Sequence, residues 1–148
     1  MIETEDILVE ALSEALEKMA FLALLPLDDE AVEPVETIST EIRFDGPQKG
    51  ILQILAGPDF GTILAENIGA VCEVNDEICC DALKELVNVT CGLLLPLLTG
   101  SSQEVFDVTV PKTVKGQEAP KWQEFITDTK TYVHNVEGQL IATRLTFE

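Results

Sequence analysis

The sequence predicts an α+β fold: a largely antiparallel sheet of five to six strands, with about three helices grouped on one face. Three observations carry this expectation. Some segments repeat apolar residues at helical spacing, while others alternate them as half-buried strands do. Strand segments that follow one another are joined by tight turns, so they should pair as hairpins without regular crossover helices. Apolar residues make up 46% of the 148 residues, enough to fill one core and to argue against disorder. Residues 1–148 are therefore expected to form a single domain.

The first helix opens at Thr4, read as its cap, with Glu5 and Asp6 in the first turn, where carboxylates complement the helix dipole. Ile7, Leu8, Ala11, Leu12, Ala15, Leu16 and Met19 keep the helical period, and Pro26 is expected to end the run. Asp28 to Pro34 reads as an acidic loop. Ile38, Thr40, Ile42 and Phe44 alternate with polar neighbours as one strand. The turn Asp45-Gly46-Pro47-Gln48-Lys49-Gly50 then returns the chain into a second, more buried strand from Ile51 to Ala56. Gly57-Pro58-Asp59 introduces a short helix with Phe60, Ile63, Leu64 and Ile68 on its apolar face.

Asn75 is the expected cap of a long helix over residues 77–95, running towards Pro96. A strand with Phe106, Val108 and Val110 on one side follows, and Pro111 closes it. Residues 112–121 read as a loop. Trp122 to Val136 reads as strand, interrupted near Asp128. Glu137-Gly138 forms a two-residue hairpin turn into Gln139 to Phe147, with Ile141, Leu145 and Phe147 buried on one side.

The net charge is −18, with only nine Lys plus Arg. Nucleic-acid and anionic-membrane partners are excluded on this ground, since both are held by basic side chains. No run approaches the length of a membrane span, and the start Met1-Ile2-Glu3-Thr4-Glu5-Asp6 is acidic where a signal peptide is basic. A cytoplasmic protein is expected. Cys72, Cys79, Cys80 and Cys91 suit a metal poorly. On a helix Cys79 and Cys80 point about 100° apart, and Cys91 lies roughly 18 Å along the axis from Cys79. We expect four reduced thiols and no metal site. His134, the single histidine, is expected to be structural.

The long helix carries the chemistry. Ile78, Ala82, Leu83, Leu86, Val87, Val89, Leu93 and Leu94 cover most of its circumference. Asp81, Glu85 and Asn88 fall within about 60° of one another, and Gly92 continues their line. A mostly buried helix would thus expose a narrow strip bearing a carboxylate and an amide one turn apart. Any amphipathic helix shows polar residues on its wet face, so the triplet alone specifies no function. Gly92 weakens a helix by about 1 kcal/mol relative to alanine, which favours a packing or docking reason for it.

The spacing Asp81-x3-Glu85-x2-Asn88, then 22 residues and Pro111, resembles the consensus of the CheC/FliY/CheX phosphatases. Four fixed positions recur by chance in about one chain of this length in a thousand, so the weight rests on the whole pattern. The order of elements agrees as well. The first helix offers Ser13-x3-Glu17-x2-Ala20, with alanine where the amide should stand, which favours the CheX type with one working motif over the CheC type. The resemblance implies a phosphatase acting on the phosphoaspartate of a CheY-type response-regulator receiver, Glu85 and Asn88 being its catalytic residues. A carboxamide is neutral and both donates and accepts, which suits placing a water in line with an already activated acyl phosphate. Glu85 can pair with the receiver's active-site lysine. Asp81 either contacts the receiver or solvates the helix start, and Gly92 permits a close approach there. Pro111 would only terminate a strand. No cofactor of its own is implied, Mg²⁺ being expected on the receiver, and a homodimer is implied. The alternative is a module of the same fold that binds a receiver or chemotaxis protein without turnover.

Overall fold

The computed structural model describes residues 3–69 and 73–148. Helix α1 (Thr4–Ala20) is followed by β1 (Leu24–Leu25), the hairpin β2 (Ile38–Asp45) and β3 (Lys49–Ala56), α2 (Pro58–Asn67) and α3 (Asp76–Thr99). Two short strands, β4 (Asp107–Val108) and β5 (Lys112–Lys115), a 3₁₀ turn (Gly116–Glu118) and α4 (Trp122–Ile126) lead to the hairpin β6 (Thr131–Val136) and β7 (Gln139–Phe147). The sheet runs β1-β6-β7-β3-β2-β4, with β5 also on β2, and every strand pairing in it is antiparallel. The α+β class is as the sequence predicts.

The core lies between one sheet face and α1, α2 and α3. Leu8, Leu12 and Leu16 of α1, Leu64 of α2, and Leu83, Leu86 and Leu94 of α3 meet Ile42, Leu52, Ile54, Ile141 and Leu145 of the strands. Period two sends the intervening residues to the other face. There Leu55 and Ala142 pack against Trp122 and Phe125 of α4. The three predicted helices therefore share one face, and a short fourth covers part of the other. The Arg144 guanidinium lies 3.8 Å from the centroid of the Phe125 ring and donates to the Phe125 carbonyl at 2.7 Å, fixing α4 to the sheet.

Several expectations are corrected. Thr4 is the first helical residue of α1, and the cap position is Glu3, without a side-chain bond. The helix stops at Ala20, six residues before Pro26. Phe21 turns left-handed (φ 56°), and the Leu22 N–H bonds back to Leu16. This releases Leu24–Leu25 to pair with β6. Helix α3 passes through Pro96 and ends at Gly100 in the left-handed region (φ 73°). The strand expected to hold Phe106, Val108 and Val110 is reduced to Asp107–Val108. Only Phe106 packs on the core, while Val110 is 80% exposed. Residues expected as loop supply β5, which continues the same edge of β2 after a break containing Pro111. Trp122 begins a helix, and strand resumes only at Thr131. The predicted interruption is real: Asp128 accepts backbone bonds from Lys130 and Thr131. Phe147 is 42% exposed, unlike Ile141 and Leu145.

The two hairpins behave as their turns demand. Glu137 and Gly138 both take positive φ, 53° and 83°, the combination that matches the twist of antiparallel strands. The β2–β3 pairing runs unbroken from Ile38↔Ala56 to Asp45↔Lys49.

Candidate functional site

Helix α3 is held from its first turn. The Asn75 side chain accepts from the Ile78 N–H at 2.9 Å, the cap the sequence predicts. Ala82, Leu83, Leu86, Val87, Thr90, Cys91, Leu94 and Leu95 are buried against α1, α2 and the sheet. Ile78, Val89 and Leu93 are half-buried and pack on the same core. What remains open is the line Asp81, Glu85, Asn88 and Gly92, all four exposed. Helical rise puts Glu85 about 6 Å beyond Asp81, and Asn88 about 4.5 Å beyond Glu85.

Among the described residues, no hydrogen bond or ion pair engages the side chains of Asp81, Glu85 or Asn88. Neighbouring charges are tied differently: Asp76, in the first turn, stands 3.9 Å from the Lys115 ammonium of β5. A carboxylate and an amide with free valences, fixed on a packed helix, can orient a small polar molecule or grip a partner. Their substitution should cost the fold little.

Other reactive side chains are withdrawn from this line. Burial pushes the Cys91 thiol up to about 11, leaving it protonated and unreactive near neutral pH. Burial lowers His134 to about 4, and its Nε2 lies 2.8 Å from the Thr143 hydroxyl inside the sheet–helix core. It is no general base for the α3 surface. Cys79, Cys80 and Cys91 are buried and unbridged, and Cys72 lies outside the described residues. Among the described residues, no three acidic, histidine or cysteine side chains come together as a metal site.

Two features beside the line were not foreseen. An apolar groove of about 290 Å³ separates α2 from α3, lined by Ala65, Ile68, Ile78, Asp81, Ala82 and Glu85. Ile68, read from the sequence as part of the apolar face of the short helix, caps α2 and is 39% exposed at the rim of this groove. At the other end, a cleft of about 190 Å³ opens among Gly92, Leu95, Pro96, Ser101, Glu104 and Phe106. Each joins residues of two segments, so only an apolar residue at a helix end or a proline inside the helical period could have signalled them.

Solved structures with the same architecture are proteins of bacterial chemotaxis. The chemotaxis protein CheX from Desulfovibrio desulfuricans superposes with a TM-score of 0.73 at 13% identity, over 99% of this chain and 100% of that one. CheX from Vibrio vulnificus gives 0.70 at 20% identity, over 99% and 97%. The CheX–CheY–BeF₃–Mg²⁺ complex from Borrelia burgdorferi gives 0.63 at 16% identity, over 100% and 99%. Fold and element order thus match these α+β domains. The family model described as chemotaxis phosphatase CheX matches residues 38–127, a span that includes β2, β3, α2 and the whole of α3, and the chain belongs to that family. The search of curated proteins returns no match.

Proposed function

We propose that this protein hydrolyses the phosphoaspartate of a CheY-type receiver domain. Water attacks the phosphorus, the bond from phosphorus to the aspartyl oxygen breaks, and a carboxylate and inorganic phosphate leave. The observation that carries this reading is the exposed, unengaged pair Glu85 and Asn88 on one line of a helix otherwise packed into the core. Family membership supports the reaction class, and the Borrelia relative, described in complex with CheY, BeF₃ and Mg²⁺, supports the kind of partner.

An acyl phosphate is activated already, so the enzyme's task is positional. In this reading Asn88 holds the attacking water through its amide, which is neutral and does not repel the phosphoryl oxygens. Glu85 pairs with a lysine of the receiver and sets the register of docking. Asp81 adds negative charge towards a partner surface bearing Mg²⁺ and lysine. The metal belongs to the substrate, and no cofactor of the phosphatase's own is proposed. A homodimer and a cytoplasmic setting complete the proposal, the dimer from the family resemblance and the setting from the acidic, span-free sequence.

The test is single-turnover dephosphorylation of phosphorylated receivers over a range of phosphatase concentrations. Asn88→Ala is expected to lower the saturating rate by about 10² or more while largely sparing receiver binding, as losing one positioned donor does elsewhere. Circular dichroism serves as the folding control. Parental rates in a folded Asn88→Ala protein would show that the amide is not the catalytic group.

A further inference from the structure

Pro96 lies inside α3, four residues after Gly92. Proline has no N–H, so the helix bond that residue 96 would donate to the Gly92 carbonyl cannot form. Gly92 itself is exposed, and a Cβ on it would meet no heavy atom within 4 Å beyond the adjoining backbone of its own helix. Its φ is not positive. Neither packing nor backbone conformation within the chain therefore requires glycine at this position. Lacking a side chain, Gly92 lines the neighbouring cleft with its backbone and lets a partner come close at this turn. Helix carbonyls point towards the C-terminal end, and here that direction leads to the cleft lined by Leu95, Pro96, Ser101, Glu104 and Phe106. Gly92 follows Asn88 by about 6 Å along the axis and about 40° around it.

We infer that the Gly92 carbonyl, freed by Pro96 and approachable because no side chain stands at that turn, accepts a hydrogen bond from the receiver docked on α3. The inference rests on the proposed reading of that strip as the receiver-docking face. The donor is an N–H group of the receiver, one helical turn beyond the reacting phosphoryl group. Charge selects this kind of partner: Glu104 stands in the cleft and Glu85 on the line, so the approach favours donors over anionic acceptors. The role is positional, since the carbonyl touches the partner and not the reacting atoms.

Restoring an N–H at position 96 refills the carbonyl from within the helix. Pro96→Ala does so with a smaller side chain, and Pro96→Val with one close to the ring in size. Both full-length variants are compared with the parent for binding to Mg²⁺- and beryllofluoride-loaded receiver and for single-turnover dephosphorylation. Both are expected to weaken binding about fivefold, equivalent to about 1 kcal/mol, a typical net hydrogen bond. The saturating rate should stay within about twofold of the parent, because Asn88 is untouched, and the melting temperature should not fall. Parental affinity in both variants would overturn the inference. Weakening by Pro96→Ala alone would overturn it too, assigning the effect to the shape of the cleft. A parent protein that binds the loaded receiver without hydrolysing phosphoaspartate overturns the catalytic reading while leaving the acceptor standing. One that binds no receiver overturns both.

Discussion

His134 makes the stability of this protein depend on pH in a way that can be isolated. It is 7% exposed, and burial holds its pKa at about 4 against an ordinary 6.5. The folded chain therefore keeps the imidazole neutral at pH values where the unfolded chain has already protonated it. Because the unfolded state binds more protons, stability is complete above pH 6.5 and drains away as pH falls towards 4. Integrating between pH 7 and pH 5 gives a loss of about 2 kcal/mol from this group alone. The chain also carries 27 Asp and Glu residues, so a comparison of two proteins isolates His134 where the parent's curve alone does not. His134→Gln keeps a polar partner for the Thr143 hydroxyl and removes the titration, so the difference between the two proteins cancels the carboxylates. Urea unfolding followed through the single, buried Trp122 measures it. The stability gap between parent and variant should move by about 2 kcal/mol in the variant's favour between pH 7 and pH 5. Parallel curves across that window would refute the argument.

Glu85→Ala should weaken receiver binding and slow turnover together, and should flatten the salt dependence of association, as measured by stopped-flow mixing at several ionic strengths. Asn75→Ala removes the one side-chain cap on α3 and should lower stability by about 1 kcal/mol in urea titration, without changing the saturating dephosphorylation rate. In the native state Cys79, Cys80 and Cys91 should resist a thiol reagent. Denaturation without reductant should release four reactive thiols, and metal analysis should find no stoichiometric zinc.

Helix α3 was legible because its signals are local. Asn75 caps it through its own side chain, and the line from Asp81 to Gly92 is the part of its circumference that the apolar residues leave uncovered. The β6–β7 turn was legible for the same reason, since Glu137-Gly138 encodes its geometry in two residues. The missed elements are defined by partners distant in sequence. Lys112-Thr113-Val114-Lys115 has too little apolar content to read as strand and becomes one only by pairing with Ile38–Glu41. Trp122–Ile126 is shorter than two helical turns, so its aromatics show no period. What makes it a helix is the shelf of Leu55 and Ala142 beneath it. The candidate strip was therefore readable down to its residues, whereas the groove against α2 and the cleft beside Gly92 depend on how separate segments meet.

The position of β7 in the sheet bears on how the molecule is made. It is the last element in chain order, yet it lies between β6 and β3. The pairing Gly50↔Phe147 joins strands far apart in the chain, and through it the β2–β3 hairpin and the β6–β7 hairpin become one surface. While the chain emerges from a ribosome, β3 has β2 on one side and nothing on the other. The leucines and isoleucines beneath α1 and α3 wait with one wall of their chamber missing. Completion is thus a late event, governed by a contact of high sequence separation and by the time an unpaired strand edge stays open to other chains. A helix that looks self-sufficient in the finished protein owes its bed to the final strand.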